Sequence, residues 1–259
     1  MSNPIETQPL VSVVMPAFNS EQYIQAAIDS VRKQTLTDWE LIIIDDCSTD
    51  STYEIVCDAA REDTRIKVKR NSRNCGAAVS RNAGMLMSRG EYVALLDSDD
   101  LWEQTKLEKQ VKCAIGYNAD IVYCSYSIID ELGKKRAPDF IVPSRSDFNL
   151  VLVKSTISCS TALISRKWTI KYQLPTNMYH EDLAYWLCLL KNGAIAIGIQ
   201  EVLASYRVIP GSRAFNKPKS ALNRWKIYHS NLGFSILHSS KLLIKYMFFG
   251  LIKYRRLAR

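Results

Sequence analysis

Two hydrophobic periods alternate along the first hundred residues. Residues 11–15 are a short, mostly apolar run ended by Pro16, the pattern of a buried strand. Tyr23, Ile24, Ala27, Ile28 and Val31 then recur at the spacing of one helix face, with Ser20 placed to cap it. Residues 39–44 form a second buried strand ended by Asp45-Asp46, residues 51–62 a second helix, and residues 66–69 a third strand. Gly76 opens a helical stretch, 76–89, in which Ala77, Ala78, Arg81, Met85 and Ser88 fall at three- and four-residue spacing. Residues 92–96 make a fourth strand that runs into Asp97-Ser98-Asp99-Asp100. Strand and helix repeated at this interval predict an α/β fold with a mostly parallel sheet and helices on both faces.

The pattern is less regular after Leu101. Residues 106–115 read as a helix, 120–127 as a strand, 133–146 as a polar loop and 150–166 as a mixed stretch. His180-Glu181 precedes a short helix over 182–190, and residues 194–206 read as a strand. Residues 211–221 look like a flexible loop and 223–253 like mostly helix. The chain thus divides into a body, 1–210, and a helical C-terminal region, 211–259.

Charge sharpens that division. The formal net charge is +8, yet the last carboxylate is Glu201, and twelve Lys and Arg follow it. The preceding 201 residues carry a net −4. A mildly acidic body with a strongly basic tail points to a membrane or nucleic-acid partner for the tail. At 47% hydrophobic and 23% charged residues the chain is globular, which excludes a disordered or fibrous protein. The apolar run 246–252 falls far short of the ~20 residues of a membrane span. The first residues lack the basic and apolar regions of a signal peptide. Seven Cys without a Cys-x-x-Cys pair argue against a disulfide framework or structural zinc and fit a reducing cytosol.

Polar clusters follow three predicted strands: Phe18-Asn19-Ser20, Asp45-Asp46 and the run from Asp97 to Asp100. In a doubly wound sheet these share the rim where ligands bind. The cluster beginning Asp45-Asp46-Cys47-Ser48 reads either as a helix cap or as an acceptor for a base or ribose. Three carboxylates in four residues at 97–100 repel one another, and a hard divalent cation relieves that repulsion. A turn that caps a helix is the alternative. Arg81 lies one turn into its helix, either as a solvated charge or reaching back toward a diphosphate or base. Neither Gly-x-Gly-x-x-Gly nor a Walker lysine loop is present, which disfavours an ordinary dinucleotide or P-loop site. Glu181-Asp182 satisfies a helix macrodipole, or supplies a general base. His229 and His238 lie among apolar and basic residues and read as non-functional.

Taken in order, Val13-Val14-Met15-Pro16-Ala17-Phe18-Asn19, Asp45-Asp46-Cys47-Ser48-Thr49-Asp50, Asn74-Cys75-Gly76 with Ser80-Arg81-Asn82, Leu96-Asp97-Ser98-Asp99-Asp100 and Glu181-Asp182 strongly resemble the family 2 glycosyltransferases. The closer resemblance is to bacterial O-antigen and capsule transferases. It implies a GT-A fold with a Rossmann-like sheet, and an enzyme that moves one sugar from a UDP-sugar with inversion. It also implies a polyprenyl-diphosphate-sugar acceptor, with UDP-glucose and a GlcNAc- or GalNAc-diphosphate-lipid as the best match. By position, Pro16, Ala17 and Asn19 border the nucleotide, and Asp45 or Asp46 accepts from uracil and ribose. Arg81 lies near the base and diphosphate. Asp97 and Ser98 adjoin the ribose, and Asp99, with Asp97, ligates Mn²⁺ or Mg²⁺. Asp182 is the general base, and Glu181, Ser160 and Arg207 line the acceptor or diphosphate. Cys47 stands where the family usually has Gly, and the Gln-x-x-Arg-Trp signature of processive synthases is absent, so transfer of a single sugar is expected. A capsule- or teichuronic-type transferase and a non-catalytic nucleotide-sugar-binding module are the alternatives.

A lipid-linked acceptor gives the tail a partner. On a helical wheel Lys241, Lys245, Lys253, Arg255, Arg256 and Arg259 fall within roughly 160°, while Leu242, Leu243, Met247, Phe249 and Leu251 supply insertion area. The expected partner is the anionic inner leaflet, with the enzyme cytoplasmic and peripheral on the membrane; the alternative is a helix that docks on the body. Nucleic acid is not expected, since it offers no reason for the Asp97–Asp100 cluster.

Overall fold

The four apolar runs become strands β1 (Val11–Ala17), β2 (Trp39–Asp45), β3 (Ile66–Arg70) and β4 (Tyr92–Leu95). Each lies within two residues of its expected bounds. The computed structural model describes residues 8–209 and 217–257. The connecting helices are α1 (Ile24–Arg32), α2 (Thr52–Glu62) and α3 (Ala77–Met87). β1 pairs in parallel with β2 on one side and β4 on the other, and β2 pairs in parallel with β3. The chain therefore winds outward from β1 to β3, then crosses back to place β4 on the other side of β1. That reversal opens a crevice at the carboxyl ends of β1 and β4.

The second half completes the sheet with β5 (Leu101–Trp102), β6 (Ile121–Ile129), β7 (Lys135–Phe140), β8 (Arg145–Ser146), β9 (Leu163–Ser165) and β10 (Ala196–Arg207). The strand order is β3-β2-β1-β4-β9-β6-β10-β5, with β7 on β6 and β8 on β10. β9 is antiparallel to both neighbours, and β10 runs parallel to β6. Helices α4 (Lys106–Tyr117), α5 (Phe148–Val153), α6 (Arg166–Lys171) and α7 (Glu181–Lys191) fill in around it. The mostly parallel α/β sheet expected from the sequence is thus the sheet observed.

Strand alternation divides the core. Val11, Val13 and Met15 join Ile24, Ile28 and Val31 of α1 in one buried cluster. Val14 faces the other way and joins Met85 of α3 and Leu183, Trp186 and Leu187 of α7. α3 packs very closely on β1, because a Cβ added at Gly84 would lie 2.4 Å from Val14 Cγ1.

Three local readings are corrected. Ser20 does not cap α1 with its side chain. Its carbonyl accepts from Tyr23 and Ile24 N–H, while its hydroxyl bonds Phe18 O and the Ser98 hydroxyl. Residues 133–146 are not all loop, for β7 and β8 lie within them. β7 starts with the exposed Lys135 and Arg136 and carries an exposed Pro138, so its apolar signal is weak, as suits a strand outside the main strand order. Within 211–221, helix α8 (Lys217–Lys226) already begins at Lys217, and residues 210–216 lie outside the described residues.

α8, a π-helical turn over Ile227–Asn231 and α9 (Ile236–Leu257) follow. They dock on the body: Ile227, Tyr228 and Leu242 belong to the same buried cluster as α7. Arg224 of α8 is 2% exposed and donates to the Val151 and Leu152 carbonyls, the open C-terminal carbonyls of α5, each at 3.1 Å. Its Nε donates to Tyr228 OH at 2.7 Å, and its guanidinium stacks 3.8 Å from the Tyr246 ring of α9. One buried cation thus ties both C-terminal helices to the body.

The α3–β1 contact makes a stability prediction. Gly84→Ala should destabilise the protein by about 1–3 kcal/mol in urea unfolding through overpacking. Val14→Ala should relieve part of that loss, so the double variant should be more stable than the two single losses added together.

Candidate active site

β1, β4 and the start of α3 build a cleft of about 190 Å³ lined by Pro16, Ala17, Phe18, Asp46, Ala77, Arg81, Asp97, Ser98 and Asp99. Seven of these are residues the sequence singled out. Phe18 and Ala77 are additions: Phe18 is 45% exposed at the end of β1, and Ala77 is the first residue of α3. The signal for Phe18 was available, since it sits within the polar cluster after β1. Ala77 carries no side-chain chemistry and enters through backbone position.

The loops of this rim hold one another in place. Asn19, at φ +47°, accepts through Oδ1 from Thr49 N–H at 2.9 Å, and its own N–H donates to Ser48 Oγ. Asp46 uses both oxygens: Oδ1 accepts from Asn71 Nδ2 and Cys75 N–H, and Oδ2 from Gly76 N–H at 2.7 Å. The Asp46 carboxylate therefore shapes the turn that opens α3. Asp45 is fully buried, takes the Ser48 N–H and pairs with Arg70 at 3.2 Å. It braces the rim from beneath and does not face the cleft. Cys47, at φ +64°, adopts the left-handed conformation that favours Gly, at the cost of some strain.

Arg81 is not a solvated helix charge. It is buried, and it donates to Asp97 Oδ1 at 2.6 Å and to Glu181 Oε1 at 3.3 Å. Burial alone disfavours its charge, but the Asp97 and Glu181 carboxylates outweigh that and hold its pKa well above the ordinary value. This triad joins α3, the end of β4 and the first turn of α7. It brings Glu181 against Arg81 of the cleft wall, while the next residue, Asp182, is not among those that line the cleft. Asp182 is half-buried, and its Oδ1 accepts from Leu183 N–H at 2.7 Å. His180, just before α7, bonds the Ser220 hydroxyl of α8 at 2.8 Å.

Asp99 and Asp100 have no comparable compensation. Burial and the nearby Asp97 push Asp99 up to about 6, and burial with Asp99 and Asp97 holds Asp100 well above the ordinary carboxylate range. Asp100 points inward, 1% exposed, and accepts from Arg207 N–H. Asp99 lines the cleft. Ser160 Oγ accepts from Asp97 N–H at 3.0 Å. Arg207 is 6% exposed, with its guanidinium on the carbonyls of Asp99, Asp130 and Glu131. Ser160 and Arg207, expected at the acceptor or diphosphate, are thus both bound into the wall behind the acidic loop.

Among the described residues no group of three or more His, Cys, Asp or Glu side chains is placed to hold a metal ion by itself. The set does fit a hard cation of the Mg²⁺ or Mn²⁺ type. Such an ion takes one or two carboxylates and completes its shell with substrate phosphate and water. Asp99 offers an under-compensated carboxylate on the cleft wall, and Asp97 stands beside it with one oxygen engaged by Arg81.

The raised Asp99 pKa fixes a sign. The folded state binds a proton that the unfolded state has already lost between pH 3.8 and about 6, so Asp99 costs stability as pH rises through that window. Asp99→Asn should therefore stabilise the cation-free protein by roughly 1–3 kcal/mol at about pH 8, and the gain should vanish near pH 4. Urea unfolding at the two pH values checks it.

Comparisons with known proteins identify the family. The family model described as Glycosyl transferase family 2 matches residues 12–173. The putative teichuronic acid biosynthesis glycosyltransferase TuaG of Bacillus subtilis (strain 168) is 39% identical over 221 residues, covering 85% of this chain and 88% of TuaG. The UDP-Glc:alpha-D-GlcNAc-diphosphoundecaprenol beta-1,3-glucosyltransferase WfgD of Escherichia coli is 35% identical over 222 residues, covering 84% of this chain and 85% of WfgD. The crystal structure of S. aureus TarS 1–349 in complex with UDP superposes with a TM-score of 0.71 at 20% identity, over 92% of this chain and 70% of that one, and shares the fold. With its GT-A architecture, its acidic rim at the crossover and these relatives, the chain belongs to the family 2 glycosyltransferases.

Proposed function

We propose that this glycosyltransferase moves a single glucose, with inversion, from UDP-glucose to a GlcNAc- or GalNAc-diphosphate-lipid acceptor in surface-polysaccharide synthesis. One observation carries the reading most directly: Asp99 lines the cleft at the crossover with its charge under-compensated, where a cation-bound diphosphate is the natural complement. The named substrates of WfgD, UDP-Glc and a GlcNAc-diphosphoundecaprenol, support the choice of donor and acceptor.

In this reading Pro16, Ala17 and Asn19 border the nucleotide. Asp46 and Ser98 fix the walls against which base and ribose lie, and Asp45 supports Asp46 from below. Asp99 holds the divalent cation, with Asp97 adjacent, and family 2 enzymes of this fold generally use such an ion. When bound, Mn²⁺ or Mg²⁺ neutralises charge on the diphosphate. Arg81 orients Asp97 and Glu181 and adds positive charge at the same wall. Asp182 takes the proton of the acceptor hydroxyl as its oxygen bonds the anomeric carbon and the bond to UDP breaks on the opposite face. Ser160 and Arg207 hold the acidic loop in place, and Glu181 positions the start of α7.

The relationship to TuaG favours a second reading, transfer of a different sugar into a teichuronic-type polymer. The two readings differ in donor. A panel of UDP-sugars against a GlcNAc-diphosphate-lipid, with and without Mn²⁺, separates them by product mass. Cation-dependent transfer from UDP-glucose is the expected result, whereas transfer from another donor with none from UDP-glucose favours the second.

Asp182 gives the mechanistic test. Asp182→Asn should lower kcat by about 10²–10⁴-fold while leaving UDP affinity within a few-fold of wild type. Turnover equal to wild type removes Asp182 from the role.

A further inference from the structure

The start of α7 is gripped from two sides. On one side Arg81 of α3 donates to Glu181. On the other, the ring Nε2 of His180, the residue before α7, lies 2.8 Å from Ser220 Oγ and 3.3 Å from the Ser220 carbonyl oxygen. A carbonyl only accepts, so a ring proton on Nε2 serves that oxygen, and the hydroxyl completes the contact. Burial disfavours the charged ring more than the nearby Asp182 favours it, and the Arg224 cation adds to the effect, so the His180 pKa lies below its ordinary value. The neutral imidazole is therefore the form that meets Ser220 at neutral pH.

Ser220 is itself anchored. It belongs to α8, whose Arg224, one turn further on, is buried and donates to the Val151 and Leu152 carbonyls of α5. Val151 and Leu152 share a buried cluster with Leu183 and Leu187 of α7. Leu242 of α9 belongs to the same cluster and Leu243 packs against it, so these two, expected among residues that insert into lipid, face the body instead. The C-terminal region, read from the sequence as an appendage, thus reaches the first turn of α7 twice, by hydrogen bond through His180 and by packing through α5.

That turn carries Asp182. The Asp182 carboxylate accepts from the next N–H, that of Leu183, at 2.7 Å, and the His180 carbonyl accepts from Ala184 N–H at 3.2 Å. Asp182 is held by its own turn, so its place follows from where the turn is fixed. We propose that His180 and Ser220 are positioning residues for Asp182: the contact from α8 fixes the first turn of α7 and sets the direction of the Asp182 carboxylate. Glu181 holds the turn from the cleft side and His180 from the C-terminal side, and the second point removes rotation about the first. The role rests on the proton transfer assigned to Asp182 in the proposed function.

Steady-state kinetics with the donor that wild type uses test the link. His180→Ala should lower kcat about tenfold, with KM for the donor and UDP affinity within a few-fold of wild type. Ser220→Ala should act in the same direction, and the double variant should be no worse than His180→Ala alone. His180→Gln, whose amide can reach the same hydroxyl, should recover most of the loss, and Leu222→Ala, at an exposed site on α8, should cost nothing. In an Asp182→Asn background, His180→Ala should cost little further. All variants should melt within a few degrees of wild type. Hydrogen exchange, which needs no substrate, should quicken severalfold at the Leu183 and Ala184 N–H groups in both single variants. Wild-type kcat in His180→Ala overturns the proposal, as does an equal loss on top of Asp182→Asn, or unchanged exchange in the first turn of α7. The two readings fail separately: wild-type turnover in Asp182→Asn removes the base from the proposed function, whereas an inactive Asp182→Asn beside a fully active His180→Ala overturns the link alone.

Discussion

The Arg81 guanidinium lies buried between Asp97 and Glu181, carboxylates from segments far apart in the chain, and the arrangement of the site depends on this bridge. It fixes the end of β4 to the start of α7 across α3. Removing one partner of such a buried set costs about 3–5 kcal/mol, because a charge is left without compensation. The bridge also sorts the acidic rim. Asp97 and Glu181 are compensated, Asp100 is turned inward, and Asp99 remains on the cleft wall with its pKa raised. The Arg81 cation thus leaves Asp99 as the under-compensated carboxylate on the cleft wall.

The residues around the bridge show how a family motif is built from ordinary folding chemistry. Asp46 spends both oxygens on the turn that starts α3, and Asn19 ties the β1 loop to the β2 loop. Ser160 and Arg207 grip the backbone of the acidic loop. Several residues that resemblance places at the ligand thus also hold together the loops around the cleft.

Much of this was legible in the chain. β1, β2 and β4 were legible because parallel strands buried along their length are rich in Val, Ile and Leu, even with Ser12 and Glu40 among them. The acidic rim followed from what stops each run. Arg81 was open between solvent and ligand, for a helix wheel does not reveal that Asp97 and, from a hundred residues away, Glu181 fold against it. β7 escaped because a strand outside the main order tolerates Pro138 and charged positions, so its pattern resembles loop. The tail's amphipathicity was visible, but its inward face was assigned to the lipid side, since the partner of Leu242 is tertiary.

The central claim is that the cleft binds a nucleotide diphosphate through a divalent cation held at Asp99. Calorimetric titration of UDP into the wild-type protein, with Mn²⁺ and with chelator, tests it most directly. The account predicts at least about tenfold tighter binding with Mn²⁺, an advantage that weakens as pH falls through about 6 and Asp99 is protonated. Equal UDP affinity with and without the cation across that pH range would contradict it.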